Sequence, residues 1–138
     1  MSAPIKTNLA GEVKILDLLD YTSGTADRLA EVDVSGYQGA CFVVKFAAVA
    51  ASAVTTVNIQ EHDVTSTGQT DIAGMTASVE ADDDNQTFVF DFKNPLKKFL
   101  TLEIDKDGSN ATAEVAFALL YNGDSRPVVN TVADEITV

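Results

Sequence analysis

Residues 86–121 read QTFVFDFKNPLKKFLTLEIDKDGSNATAEVAFALLY. Phe88, Phe90 and Phe92 alternate with Thr87, Val89 and Asp91. Leu100, Leu102 and Ile104 alternate with Thr101, Glu103 and Asp105. Val115, Phe117, Leu119 and Tyr121 keep the same two-residue step. Successive side chains of a strand point to opposite faces, so each set is expected to line one face of a sheet. The stretch predicts two long strands and the start of a third. Asn94-Pro95 predicts the turn between the first two, because proline fixes φ and biases its predecessor away from helix. Asp107-Gly108 predicts a hairpin between Ile104 and Val115.

Upstream, Ala40 to Ala47 reads as a buried strand, with Phe42, Val44 and Phe46 on one face and Cys41 and Val43 on the other. Ala53 to Glu61 reads as another, with Val57 and Ile59 facing one way. In Arg28 to Val34, Leu29 falls one step out of phase with Val32 and Val34, which predicts a bulged or partly paired strand. Glu12 to Asp20 carries two signals. Val13 and Ile15 suggest a strand, while Ile15, Leu18 and Leu19 also match helical spacing. A strand is the expectation, because everything downstream is β. Thr22 to Thr25, Asp82 to Asn85 and Asn122 to Asp124 read as turns by composition. His62 to Thr76, with Gly68 and Gly74, reads as a polar connection, and Ala77 to Ala81 as a short strand. A Val-rich tail follows Pro127. The division expected is an extended arm over residues 1–11 and a single domain over 12–138. With about eight strands at this spacing, the fold class is all-β, an antiparallel sandwich or jelly roll.

A chain of 138 residues fits one domain whose core needs no disulfide or metal. No apolar run approaches the roughly 18–20 residues needed to cross a bilayer. The N-terminal residues lack the apolar region of a signal peptide, so use without Sec export is the expectation. Nine Lys and Arg against twenty-one Asp and Glu give a net charge of −12. No Lys or Arg lies between Lys45 and Lys93. Such a chain repels phosphate backbones and anionic membrane surfaces, so neither nucleic acid nor membrane is an expected partner. The lone cysteine, Cys41, is expected to be a buried, inert thiol.

No motif supplies catalytic chemistry. Asp82, Asp83, Asp84 and Asn85 are oxygen-rich, but Ca²⁺ takes six to eight oxygens, and four consecutive residues cannot all converge on one ion. They read as a solvated turn. Asp105 to Asn110 lacks the oxygen spacing and distal Glu of a calcium loop. His62, the only histidine, reads as a surface residue at a strand end. Its neighbours Glu61 and Asp63 offer no nucleophile, and there is no Gly-x-Ser-x-Gly. The expectation is therefore no enzyme, no cofactor, and no catalytic or metal residue. Paired carboxylates for glycoside chemistry depend on a three-dimensional separation. The lack of Trp, with only three Tyr, weighs against a sugar-stacking platform.

Two features point to a protein partner. Lys93, Lys97 and Lys98 form the only basic cluster, read either as charged gatekeeping of an apolar strand or as a docking patch for an acidic neighbour. Ala48 to Ala53 is small and apolar, either ordinary core at a bend or a close contact at a subunit axis. The candidate contact residues are Pro4, Ile5, Lys93, Lys97, Lys98, Ala48, Val49 and Ala50.

A wider pattern joins these stretches. Val34-Ser35-Gly36-Tyr37 leads into Gly39-Ala40-Cys41-Phe42-Val43-Val44, followed by Val54 to Gln60 and Asp71-Ile72-Ala73-Gly74. Phe88 to Phe92, Asn94 to Leu100 and Phe117-Ala118-Leu119-Leu120-Tyr121 complete it. Over Val32 to Tyr121 the chain resembles the decoration or cement proteins on the capsid exterior of tailed bacteriophages. The resemblance implies a β-sandwich or jelly-roll virion protein, made in the host cytoplasm. It implies binding to the major capsid protein of the assembled head, as a homotrimer, and stabilisation of the shell. It also implies an N-terminal arm that grips the shell, a role that suits Ser2 to Asn8. The alternative is a carbohydrate- or host-surface-binding sandwich, such as a head fibre or tail-associated module.

Overall fold

The computed structural model describes residues 9–51, 54–80, 83–106, 111–124 and 130. Residues 1–8 of the expected arm, with Pro4 and Ile5, lie outside them, as do Asp82, Asp107-Gly108 and the tail beyond Asn130. A 3-10 turn at Leu9–Gly11 enters strand β1, Val13–Gly24. Then come β2 (Arg28–Asp33), β3 (Tyr37–Val49), β4 (Thr55–His62), β5 (Thr70–Val79), β6 (Thr87–Lys93), β7 (Phe99–Lys106) and β8 (Thr112–Gly123). They form two four-stranded sheets, in the orders β1-β8-β3-β6 and β2-β7-β4-β5, and every pair is antiparallel. Of consecutive strands only β4 and β5 lie side by side. This is the strand order of an eight-stranded jelly roll, an all-β sandwich.

The core fills the space between the sheets. Phe42, Val44 and Phe46 of β3 face Val57 and Ile59 of β4 and Leu100, Leu102 and Ile104 of β7, all fully buried. Burying a side chain of this size stabilises by about 1.5–3 kcal/mol. The alternation of large apolar residues in β3, β6 and β7 therefore places the same residues inward that the sequence marks.

One expectation is refined and four are corrected. The set Val115, Phe117, Leu119 and Tyr121 does line one face of β8, but the outer one: the inward residues are Ala116, Ala118 and Leu120, while Val115 and Phe117 are each 37% exposed. The bulk inside comes from Phe42, Phe46 and the β7 leucines, which leaves room for alanine opposite them. Secondly, β2 has no bulge. It pairs with β7 in unbroken register from Arg28↔Ile104 to Asp33↔Phe99, and Ala30 is the inward residue in phase with Val32. Thirdly, β5 begins at Thr70, inside the expected polar connection. Its register slips between Asn58↔Thr76 and Gln60↔Asp71, and Gly74 takes the left-handed φ of +84° that this irregularity requires. Lastly, β7 and β8 belong to different sheets, so Asp107-Gly108 does not join them as a hairpin. The expected turn at Thr22 to Thr25 is also shorter, because β1 runs on to Gly24.

Candidate functional site

The two outer faces of the sandwich differ in kind. On the β2-β7-β4-β5 sheet the outward rows are polar apart from the exposed Leu29. Glu31, Thr101, Gln60 and Asp71 form one row, and Leu29, Glu103, Asn58 and Thr76 the next. Asn58 Nδ2 donates to Glu103 Oε1 at 3.1 Å, and Gln60 Nε2 to Asp71 Oδ1 at 2.8 Å. Thr76 Oγ1 donates to Asn58 Oδ1. These groups bond along the surface and present an acidic, hydrated face.

On the β1-β8-β3-β6 sheet the outward rows are largely apolar. Ile15, Leu119, Cys41 and Asp91 lie side by side, then Asp17, Phe117, Val43 and Val89, then Val115, Lys45 and Thr87. Val89 is 60% exposed. An antiparallel sheet with one face on the core usually solvates the other with polar residues. A contiguous apolar outer face marks an interaction surface. Cys41 sits within it, half-buried and not enclosed as expected. Burial, and then the carboxylate of Asp91, push its thiol pKa up, which keeps it in the unreactive thiol form.

The structure separates the basic residues of the sequence cluster. Lys93 ends β6 on the outer face, in register with Gly39. Lys97 forms an exposed ion pair with Asp63 at 3.0 Å, in front of an open hollow bordered by His62, Val64 and Thr70. Lys98 lies 5.2 Å from the centre of the Phe99 ring. Ala48, Val49 and Ala50 sit at the opposite end of the sandwich. Ala48 and Val49 continue β3 beside Ala113 and Thr112, with Ala48 exposed and Val49 buried. The Val49 amide donates to Asp84 Oδ1 at 2.6 Å, and the Ala50 amide to the Ala111 carbonyl. The acidic turn therefore fastens β3. Asp83 accepts from the Glu80 amide and closes the turn itself.

Two polar clusters escaped the sequence reading. At the Ala48 end, Glu114 is fully buried, 2.9 Å from Lys106 Nζ and 3.1 Å from Arg28 Nη1. Lys106 also donates to the carbonyls of Gly24 and Thr112, and Arg28 to that of Asp20. The cluster ties β1, β2, β7 and β8 together. At the other end His62 is 2% exposed, not a surface residue. Residues 63–69 fold back over it. One ring nitrogen meets the Val64 carbonyl at 2.9 Å, the other Thr101 Oγ1 at 2.7 Å, and the ring stacks on Phe99. The carbonyl can only accept, so Nδ1 carries a proton. Thr101 is itself 2% exposed, so this pair fixes a loop and offers no accessible nucleophile.

Two tyrosines meet two glycines on the outer face, at the end of β3 and β8. Tyr37 pairs with Gly123 and Gly39 with Tyr121. A Cβ at Gly39 would fall on the Tyr121 ring, and one at Gly123 would crowd the Tyr37 ring. Each ring thus covers bare backbone of the neighbouring strand. Tyr121 reaches across β3 and donates to Asp91 Oδ1 at 2.6 Å. That hydrogen bond, with burial, pushes its phenol pKa up to about 12.

No family model and no curated protein matches the chain. Solved structures with a similar chain course include a CBM4 carbohydrate-binding module, at 13% identity and a TM-score of 0.43, over 80% of this chain and 83% of that one. Another is the CBM22-1–GH10 portion of Clostridium thermocellum xylanase 10B, complexed with xylohexaose. It shares 14% identity at a TM-score of 0.47, over 89% of this chain, which spans 28% of that one. A third is a Bacillus endospore appendage of the disulfide-linked pili, at 15% identity and 0.43, over 86% of this chain and 97% of that one.

Proposed function

We propose that the protein is a virion structural subunit, a decoration or cement protein that coats an assembled capsid and works by binding, not catalysis. The observation that carries this reading is the contrast between the two outer faces. The apolar rows around Phe117, Val43 and Val89 suit burial against a shell of major capsid protein. The hydrogen-bonded acidic rows around Glu103, Asn58 and Asp71 suit the solvent side. A sheet face can make a broad contact, and many copies on one shell gain hold through avidity and bridging. Copies grouped as trimers fit junctions between capsid subunits, as the sequence resemblance implies. Quantitative mass spectrometry of purified virions tests the reading. The protein is expected in many copies per particle, and its absence from washed particles ends the proposal.

A second reading, the carbohydrate- or host-surface-binding sandwich, is favoured by one specific feature. Tyr37 and Tyr121 are set over glycines at one end of the same sheet.

A further inference from the structure

We propose that this tyrosine-bearing end is a binding site for a neutral oligosaccharide, with Tyr37 and Tyr121 as the stacking groups. The inference rests on the second reading above and gives it a place and a ligand class. The two residues stand two positions apart in the β3–β8 register, Tyr37 opposite Gly123 and Tyr121 opposite Gly39. With no side chain beneath them, the rings settle onto the strands, and both residues remain half-buried, not enclosed. Aromatic rings held this way offer rigid apolar surface at low entropic cost, which suits the C–H faces of pyranose rings.

A second observation marks the same place. A cavity of about 220 Å³ opens beside Tyr37, bordered by Ser35, Gly36, Gly123 and Asp124. Its floor is shaped by Gly36 at φ +83°, whose carbonyl accepts from the Asp124 amide at 2.8 Å. Asp124 at its rim and Asp91 at the Tyr121 hydroxyl put carboxylate oxygens where sugar hydroxyls can donate. Lys93 stands in the same row as Gly39 and Tyr121, but Asp91, Asp124 and a net charge of −12 outweigh it and repel anionic glycans and nucleic acid, which leaves neutral sugars as the matching class. The platform lies at the end of the sheet, beyond the rows of Phe117 and Val89, so a saccharide here does not require the centre of the apolar face.

The chain has no Trp and three Tyr, so its intrinsic emission reports on these rings. The experiment titrates the full chain with cellohexaose, xylohexaose and chitohexaose by calorimetry and tyrosine fluorescence. At least one hexasaccharide is expected to bind and perturb the emission. Tyr37→Ala is expected to weaken it roughly tenfold or more, while Tyr21→Phe leaves it unchanged. Tyr121→Phe keeps the ring and is expected to retain stacking. Thermal melts of each variant confirm folding. Binding that survives a folded Tyr37→Ala variant overturns this site while leaving carbohydrate binding standing. Failure of all three sugars to bind overturns both.

Discussion

Glu114 shows how a single residue decides an orientation. It occupies an inward position of β8, where an unpaired carboxylate would be prohibitive, and Lys106 and Arg28 neutralise it. Breaking a buried pair by removing one partner costs about 3–5 kcal/mol. Glu114→Ala is therefore expected to lose that much in urea unfolding. The paired change Lys106→Met with Glu114→Leu is expected to recover most of it, because Arg28 is partly exposed and can turn to water. Tyr121 gives a pH dependence. Its folded pKa, about 12, lies above the ordinary 10.0, so the folded protein holds the phenol proton longer than the unfolded chain does. The stabilisation from its bond to Asp91 is fully present below 10 and drains away as pH rises toward 12. Thermal melts across that range are expected to show a steeper decline for the native protein than for Tyr121→Phe.

Among the strands, β8 is the one where side-chain size matters most. Ala118 is fully buried opposite a filled core, so Ala118→Leu is expected to cost about 1–3 kcal/mol by overpacking. Phe117→Ser, on the outer face, is expected to change stability by less than about 1 kcal/mol. Chemical denaturation of the two variants checks the contrast. The same contrast explains why the pattern of β8 alone leaves its inward face undecided. Both of its faces are apolar, so a two-residue period finds the strand but cannot say which face is inside. In β3, β6 and β7 the alternation joins large apolar residues to smaller or polar ones, and their phase was legible. Ala30 hid the phase of β2, because alanine weighs little beside the exposed Leu29. Irregularity around Gly74 concealed the first half of β5. The tyrosine–glycine pairs could not be read at all. Tyr37 and Gly123 are 86 residues apart, the difference of their positions, and only the β3–β8 register joins them.

At the scale of the whole molecule, charge and topology set the behaviour. A net charge of −12 on a small domain repels itself in the compact state. Raising ionic strength from roughly 0.01 to 0.15 M shortens the screening length from about 30 to 8 Å. The melting temperature is expected to rise over that range in a differential scanning experiment, and a fall would show that specific ion pairs outweigh the general repulsion. The strand order has a further consequence for biogenesis. β8 stands between β1 and β3, so both wait for the same late-synthesised partner. On the ribosome the phenylalanine-bearing side of β3 has no completed layer to rest in until Thr112–Gly123 has emerged. Closure of this sheet thus waits until β8 has been made, and the interval before it is when a nascent subunit is open to aggregation and to chaperone capture.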